Sequence, residues 1–282
     1  MTTWFITGAA RGFGLEIARQ ALERGDNVVA TARNPETVEK TLPQYGDQLL
    51  ALALDVTDES QAHAAAAAAV ERFGTIDVLV NNAGRGLLGA IEESSDAAVR
   101  AVYDTNVFGL LNVTRAVLPA MRRQGSGRVL NLSSLGGFTS SAGFGIYCST
   151  KFAVEGISEA MRQELAPLGI HVTIVEPGYF RTDFLDASSL HTEGEVITDY
   201  AQTAGAVRGA VPGLNHAQPG DPVKGAAAIL ALADAGTPPL RAQLGSDCAA
   251  ELDRKITQLR EEAAAWRHLA LSTDHDDAVA TV

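Results

Sequence analysis

The chain has 282 residues, a length that suits one large α/β domain or two small ones, and its 46% hydrophobic content supplies a substantial core. The net charge of −12 argues against nucleic acid or an anionic membrane as a partner, because both reward clusters of Lys and Arg. Two cysteines, Cys148 and Cys248, are too few for a disulfide framework and fit a reducing, cytoplasmic setting.

Trp4 to Thr7 reads as a short apolar strand that starts with no signal peptide before it. The turn Gly8-Ala9-Ala10-Arg11-Gly12-Phe13-Gly14 follows, then a helix from Leu15 to Arg24. A glycine-rich turn between strand and helix suits a phosphate: small residues let the backbone approach, and the first helical N–H groups face the anion. Asn27 to Thr31 is a second strand, ending at Ala32-Arg33, and Leu49 to Leu54 a third, ending at Asp55-Val56-Thr57. Asp58 to Phe73 is helical, with Asp58 and Gln61 spaced as a capping box. Ile76 to Val80 is a fourth strand, leading into Asn81-Asn82-Ala83-Gly84.

From about Ser95 to Met121 the pattern predicts one long helix, apolar on more than one face, with Asn106 in its middle needing a partner. Arg128 to Leu132 is a fifth strand, ending at Ser133-Ser134. A helix bearing Tyr147 and Lys151 follows, then a sixth strand from His171 to Val175, broken by Pro177-Gly178. Residues 179–219 lack periodicity and read as a mobile cover over a site. Pro222 to Ala233 is helical, and Leu240 to Leu244 is a seventh strand. Leu252 to Leu271 is a helix with Ile256, Leu259 and Trp266 on its apolar side, and 272–282 read as a frayed tail. No apolar run is long enough to span a membrane. The six histidines are scattered without metal-ligand spacing, so no metal is expected. Alternation of strand and helix predicts a parallel sheet with helices on both faces.

Tyr147 and Lys151 are four apart, so on a helix they share a face. An ammonium beside a phenol favours the phenolate and makes the tyrosine usable as a general acid or base nearer neutral pH. Ser134 stands at the end of a strand, where open α/β sheets place their ligands.

Together and in this order, these motifs resemble the short-chain dehydrogenase/reductase family over nearly all of residues 3 to 250. The resemblance implies a single doubly wound Rossmann-type domain over 1–282, with a seven-stranded parallel sheet. Asn106, Ser134, Tyr147 and Lys151 match the family's catalytic tetrad. Tyr147 would donate a proton to a carbonyl oxygen that Ser134 orients. Lys151 would lower the tyrosine pKa and bind ribose hydroxyls, and Asn106 would hold a water linking Lys151 to solvent. Gly8, Arg11, Gly12, Phe13 and Gly14 match the cofactor turn, and Asp55 with Val56 the segment beside the adenine. Asn82, Ala83 and Gly84 match the motif lining the cofactor, and Pro177, Gly178 and Thr182 the segment that holds the nicotinamide.

Relatives that prefer NAD carry an acidic residue at the end of the second strand. Ala32 stands there instead, followed by Arg33, and Arg11 approaches from the glycine turn. The resemblance therefore implies NADP(H) over NAD(H), since an arginine–phosphate contact is charge-assisted. Leu87, Leu135, Phe138, Phe144, Tyr179 and Phe184 are the candidate substrate pocket, and their apolar character suggests a mainly apolar carbonyl or alcohol. Within the family the wording is most similar to hydroxysteroid and retinol dehydrogenases and their bacterial relatives. A ketoreductase for carrier-bound acyl groups fits less well, because an acidic carrier would meet an acidic protein. A non-catalytic dinucleotide sensor would be signalled by loss of the tyrosine or lysine, and both are present. Relatives often pair through the helices holding Asn106 and Tyr147, which implies a homodimer or homotetramer.

Overall fold

The computed structural model describes residues 1–192 and 196–275. Its first half runs β1 (Thr3–Thr7), α1 (Gly12–Glu23), β2 (Asn27–Ala32), α2 (Glu36–Thr41), β3 (Leu49–Ala53), α3 (Glu59–Phe73), β4 (Val78–Asn81) and β5 (Gly86–Leu88). Then come α4 (Asp96–Tyr103), α5 (Gly109–Gln124), β6 (Gly127–Leu132), α6 (Gly145–Leu165), β7 (Ile170–Pro177) and β8 (Leu190–Thr192). The last elements are α7 (Ala204–Leu214), α8 (Pro222–Asp234), β9 (Arg241–Leu244) and α9 (Ser246–Leu271). Seven strands form one parallel sheet in the order β3-β2-β1-β4-β6-β7-β9. The chain reverses its direction of travel across the sheet between β1 and β4, the crevice where open α/β sheets bind ligands.

Side chains alternate across each strand, and the two faces carry separate cores. Trp4, Ile6, Val28, Val80 and Leu130 pack under α1 and α8 through Ile17, Leu22, Ala226 and Ile229. Phe5, Val29, Leu79 and Val129 face the other way, toward Ala62 and Ala69 of α3, Val113 and Val117 of α5, and Met161 and Leu165 of α6. The alanine run of α3 lets that helix come close to the sheet.

Three expectations change here. The helix expected from Ser95 to Met121 runs on through Gln124 but changes its hydrogen bonding in the middle: a π-helical turn, Asp104–Phe108, lies between α4 and α5 and carries Asn106. The capping box at Asp58 is incomplete. Its carboxylate accepts the N–H groups of Ser60 and Gln61, but Gln61 Oε1 takes the N–H of Asp55 instead of that of Asp58. The cover has regular structure: β8 pairs with β5 as a small parallel sheet, and α7 follows. Residues 193–195 of the cover and 276–282 of the expected tail lie outside the described residues.

Candidate active site

A cleft of about 1230 Å³ runs along the carboxyl ends of the strands. That exceeds the space a drug-sized ligand needs and suits a dinucleotide with a substrate beside it. Its floor at the first crossover is the glycine turn. Gly8 and Gly12 have φ of +66° and +54°, the left-handed region that favours glycine. A Cβ on Gly8 would stand 3.1 Å from Asn82 Nδ2, and one on Gly14 would collide with the Gly8 carbonyl oxygen. Gly14 is therefore a packing glycine beneath the turn and does not line the cleft. Thr7 Oγ1 accepts the N–H groups of Asn82 and Ala83, both at 2.9 Å, while Asn82 Nδ2 donates to Thr7 O at 2.8 Å. These bonds fasten the two turns together. Ala10, Arg11, Gly12, Phe13, Arg33, Asp55, Val56, Asn82, Ala83 and Gly84 all border the space, as do Pro177, Gly178 and Thr182. Closely approachable backbone at a helix N-terminus fits a bound pyrophosphate.

Further along, Ser134, Tyr147 and Lys151 come together on the same cleft. Tyr147 stands on the first turn of α6, its ring between Phe144 at 6.2 Å and Phe184 of the cover at 5.4 Å. Burial pushes its hydroxyl well above the ordinary phenol range, and a hydrogen bond with Ser134 works in the opposite direction. Burial brings the Lys151 amine down to about 8, which nearby Glu155 partly offsets. The ammonium donates to the carbonyl of Leu132 at 2.8 Å and lies 5.8 Å from the Tyr147 ring centre. The expected lowering of the tyrosine by this lysine is not what sets its ionisation here: burial of the phenol dominates, and the opposing influence comes from Ser134. Gly84 lies beside this amine: a Cβ there would stand in ordinary contact, 3.8 Å from Lys151 Nζ.

The family profile described as short chain dehydrogenase matches residues 2–193. The chain belongs to the short-chain dehydrogenase family. An oxidoreductase of Botryotinia fuckeliana is 38% identical over 271 residues, covering 96% of this chain and 98% of that protein. A crystal structure of a short-chain dehydrogenase from Streptomyces avermitilis superposes with a TM-score of 0.90 at 42% identity, over 97% of this chain and 100% of that one. The closed form of a serine dehydrogenase complexed with NADP+ matches with a TM-score of 0.74 at 27% identity, over 86% of this chain and 94% of that one. A nicotinamide dinucleotide is the cofactor class these findings support, and oxidoreduction the reaction class.

In this short-chain dehydrogenase Asn106 does not face the cleft. Its Oδ1 accepts the Arg85 N–H at 2.9 Å, and its Nδ2 donates to Arg85 O at 2.9 Å and to Thr150 Oγ1 at 3.0 Å. Each polar atom of the side-chain amide has a protein partner, so the side chain braces α6 against the segment after β4. Arg11 borders the cleft, yet its guanidinium donates to Ser188 Oγ at 2.6 Å, Ser188 O at 3.1 Å and Ser189 Oγ at 2.7 Å. Arg33 is exposed on the cleft wall beside Ala32. Of the six pocket candidates, Leu135, Phe144, Tyr179 and Phe184 line the cleft. Leu87 does not: it packs under Ala98 and Val102. Phe138 also falls outside the lining.

The sequence reading missed Ser188, Ser189, His191, Gln218 and Glu251, all of which line the cleft. Serines in an aperiodic cover give no signal, and His191 reaches the site only because β8 pairs with β5. One turn beyond Lys151 lies a second missed group. Glu155 and Glu176 are buried together, with Arg241 Nη2 3.1 Å from Glu155 and its Nε 3.3 Å from Glu176. Burial and the neighbouring Glu155 push Glu176 up to about 7, and burial raises Glu155 as well.

Proposed function

We propose that this chain is an NADPH-dependent reductase that converts a mainly apolar ketone or aldehyde to its alcohol, with Tyr147 as the proton donor. The convergence of Ser134, Tyr147 and Lys151 at one end of a cleft floored by a glycine turn carries the reading. The bound dinucleotide would supply the hydride. Ser134 holds the carbonyl oxygen in place, and the buried Tyr147 hydroxyl stays protonated at neutral pH, the form a general acid needs. Lys151 is positioned by the Leu132 carbonyl to replace the proton. Leu135, Phe144, Tyr179 and Phe184 support an apolar substrate.

Arg33 and the missing carboxylate at Ala32 support NADPH. Arg33 would read the 2′-phosphate, and Arg11 would join it by leaving Ser188 and Ser189. Two such contacts, discounted for exposure and salt, favour NADPH over NADH by about ten- to a thousandfold in kcat/KM. The test follows absorbance of the reduced cofactor with steroid, retinoid, aromatic ketone and simple aldehyde substrates. Ala32→Asp combined with Arg33→Ile should invert the preference, and an unmoved ratio would remove Arg33 from this role.

The reading includes one domain, a cytoplasmic location and a homodimer or homotetramer. Both cysteines are buried free thiols, in keeping with a reducing compartment, and among the described residues no helix is long and apolar enough to cross a membrane. Phe108 and Phe152 lie exposed on the π-turn and on α6, which supports pairing through those helices.

A further inference from the structure

Helix α9 packs on the body through Cys248 and then leaves it: Leu259 is 50% exposed and Trp266 63% exposed. Six of its apolar residues fall on one line, while Leu269 and Leu271, also exposed, lie off it. Leu252, Ile256, Leu259, Ala263, Trp266 and Ala270 follow one another at steps of four, three, four, three and four. That is the spacing of a two-helix seam, and no element among the described residues covers its outer half.

We propose that α9 pairs antiparallel with α9 of a second copy of this chain, on a two-fold axis at Glu261. The seam is symmetric about that residue: 252 and 270, 256 and 266, and 259 and 263 lie at equal distances from it. Antiparallel pairing therefore sets Leu252 against the partner's Ala270, Ile256 against the partner's Trp266, and Leu259 against the partner's Ala263. Two of these three layers put a large side chain on a small one, the arrangement that fills space between close helices. Parallel pairing would stack Trp266 on its own copy and leave hollow layers at Ala263 and Ala270. Charge on one flank agrees. Asp253 and Arg267 each follow a seam residue, and the antiparallel register brings each beside its opposite on the other helix. Arg260 and Glu262 meet their own copies near the axis, where the long side chains reach solvent.

Cysteine pairing tests the register, because the native Cys148 and Cys248 are buried. Ile256→Cys mixed with Trp266→Cys should form a covalent dimer under mild oxidation, and neither variant alone should. Absence of that species, or a covalent dimer from Trp266→Cys alone, overturns the antiparallel pair. Trp266→Glu changes an exposed position and should leave the fold intact. It should weaken association through this helix by about thirtyfold in sedimentation velocity. Unchanged assembly at every concentration would also overturn the proposal. Pairing through the helices around Phe108 and Phe152 predicts neither result.

Discussion

Lys151 is held where its charge is unfavourable. Its folded pKa of about 8 lies below the ordinary lysine value, so between these limits the unfolded chain binds the proton more tightly. Stability therefore rises with pH across that window, and the full penalty applies below it. Lys151→Met should raise stability at pH 7 by on the order of 3 kcal/mol, with the gain vanishing above pH ~10.5. Urea unfolding at both pH values checks the sign, and turnover should fall at the same time. Tyr147→Phe removes the proposed proton donor and should lower turnover by at least about a hundredfold with cofactor binding almost unchanged. Retention of more than a tenth of the activity would contradict the role. These two residues were legible because their spacing is itself the signal. The Leu132 carbonyl that holds Lys151 was not, since a backbone acceptor leaves no mark in side-chain identity.

At the scale of elements, α1 meets the turn after β1 at Gly14, where a methyl group would strike the Gly8 carbonyl. Backbone on both sides cannot give way, so Gly14→Ala should destabilise the protein by about 1–3 kcal/mol. It should also weaken dinucleotide binding, because the Gly8 and Gly12 backbone moves with the helix. Thermal unfolding and a cofactor titration read the two effects. The seven strands of the main sheet were legible from apolar runs ending in turn residues, their doubly wound arrangement came from the family resemblance, and their order is seen only in the structure. The π-turn was not legible: it sets Asn106 against both the N–H and the carbonyl of Arg85, 21 positions away, a contact that leaves no local pattern. The small β5–β8 sheet has three residues per strand and joins segments about a hundred residues apart, too short and too distant for periodicity to disclose.

Across the whole molecule, α6, β7 and β9 are joined by one partly buried charge cluster. Arg241 bridges Glu155, Glu159 and Glu176, and Gln243 donates to Glu176. Glu176 sits at the end of β7, directly before the Pro177-Gly178 segment of the cleft, and Glu155 is one helical turn from Lys151. The folded pKa of Glu176, about 7, exceeds its ordinary value, so the native state holds the proton more tightly than the unfolded chain. Stability should therefore fall as pH rises from about 4.5 to 7. Arg241→Met removes the neutralising charge and should lower stability at pH 7.5 by roughly 1–3 kcal/mol, discounted for the partial exposure of Arg241. The loss should be smaller at pH 5, as calorimetry at the two pH values would show. An equal loss at both would mean that Arg241 acts through packing alone. Composition and motif reading passed over this cluster because its four charged groups come from three elements, α6, β7 and β9, and β9 lies far from the other two in sequence and meets them only through the sheet order.

Arg11 joins the glycine turn to the cover through three hydrogen bonds, and its guanidinium cannot keep them while it turns to an anion. Anion binding at Arg11 and retention of this clasp are therefore negatively coupled, and such coupling is reciprocal. Ser188→Ala with Ser189→Ala removes two of the three bonds, leaving only the one to the Ser188 carbonyl, and does not alter the glycine turn. Loss of about one net hydrogen bond of competition should tighten NADPH about fivefold. NADH, which lacks the 2′-phosphate, should be unaffected. Fluorescence titration of both cofactors decides it, since equal tightening would show that Arg11 does not see that phosphate. If Arg11 takes the 2′-phosphate as proposed, the same coupling would make NADPH itself an agent of release: saturating NADPH, unlike NADH, should speed hydrogen exchange at Ser188 and Ser189.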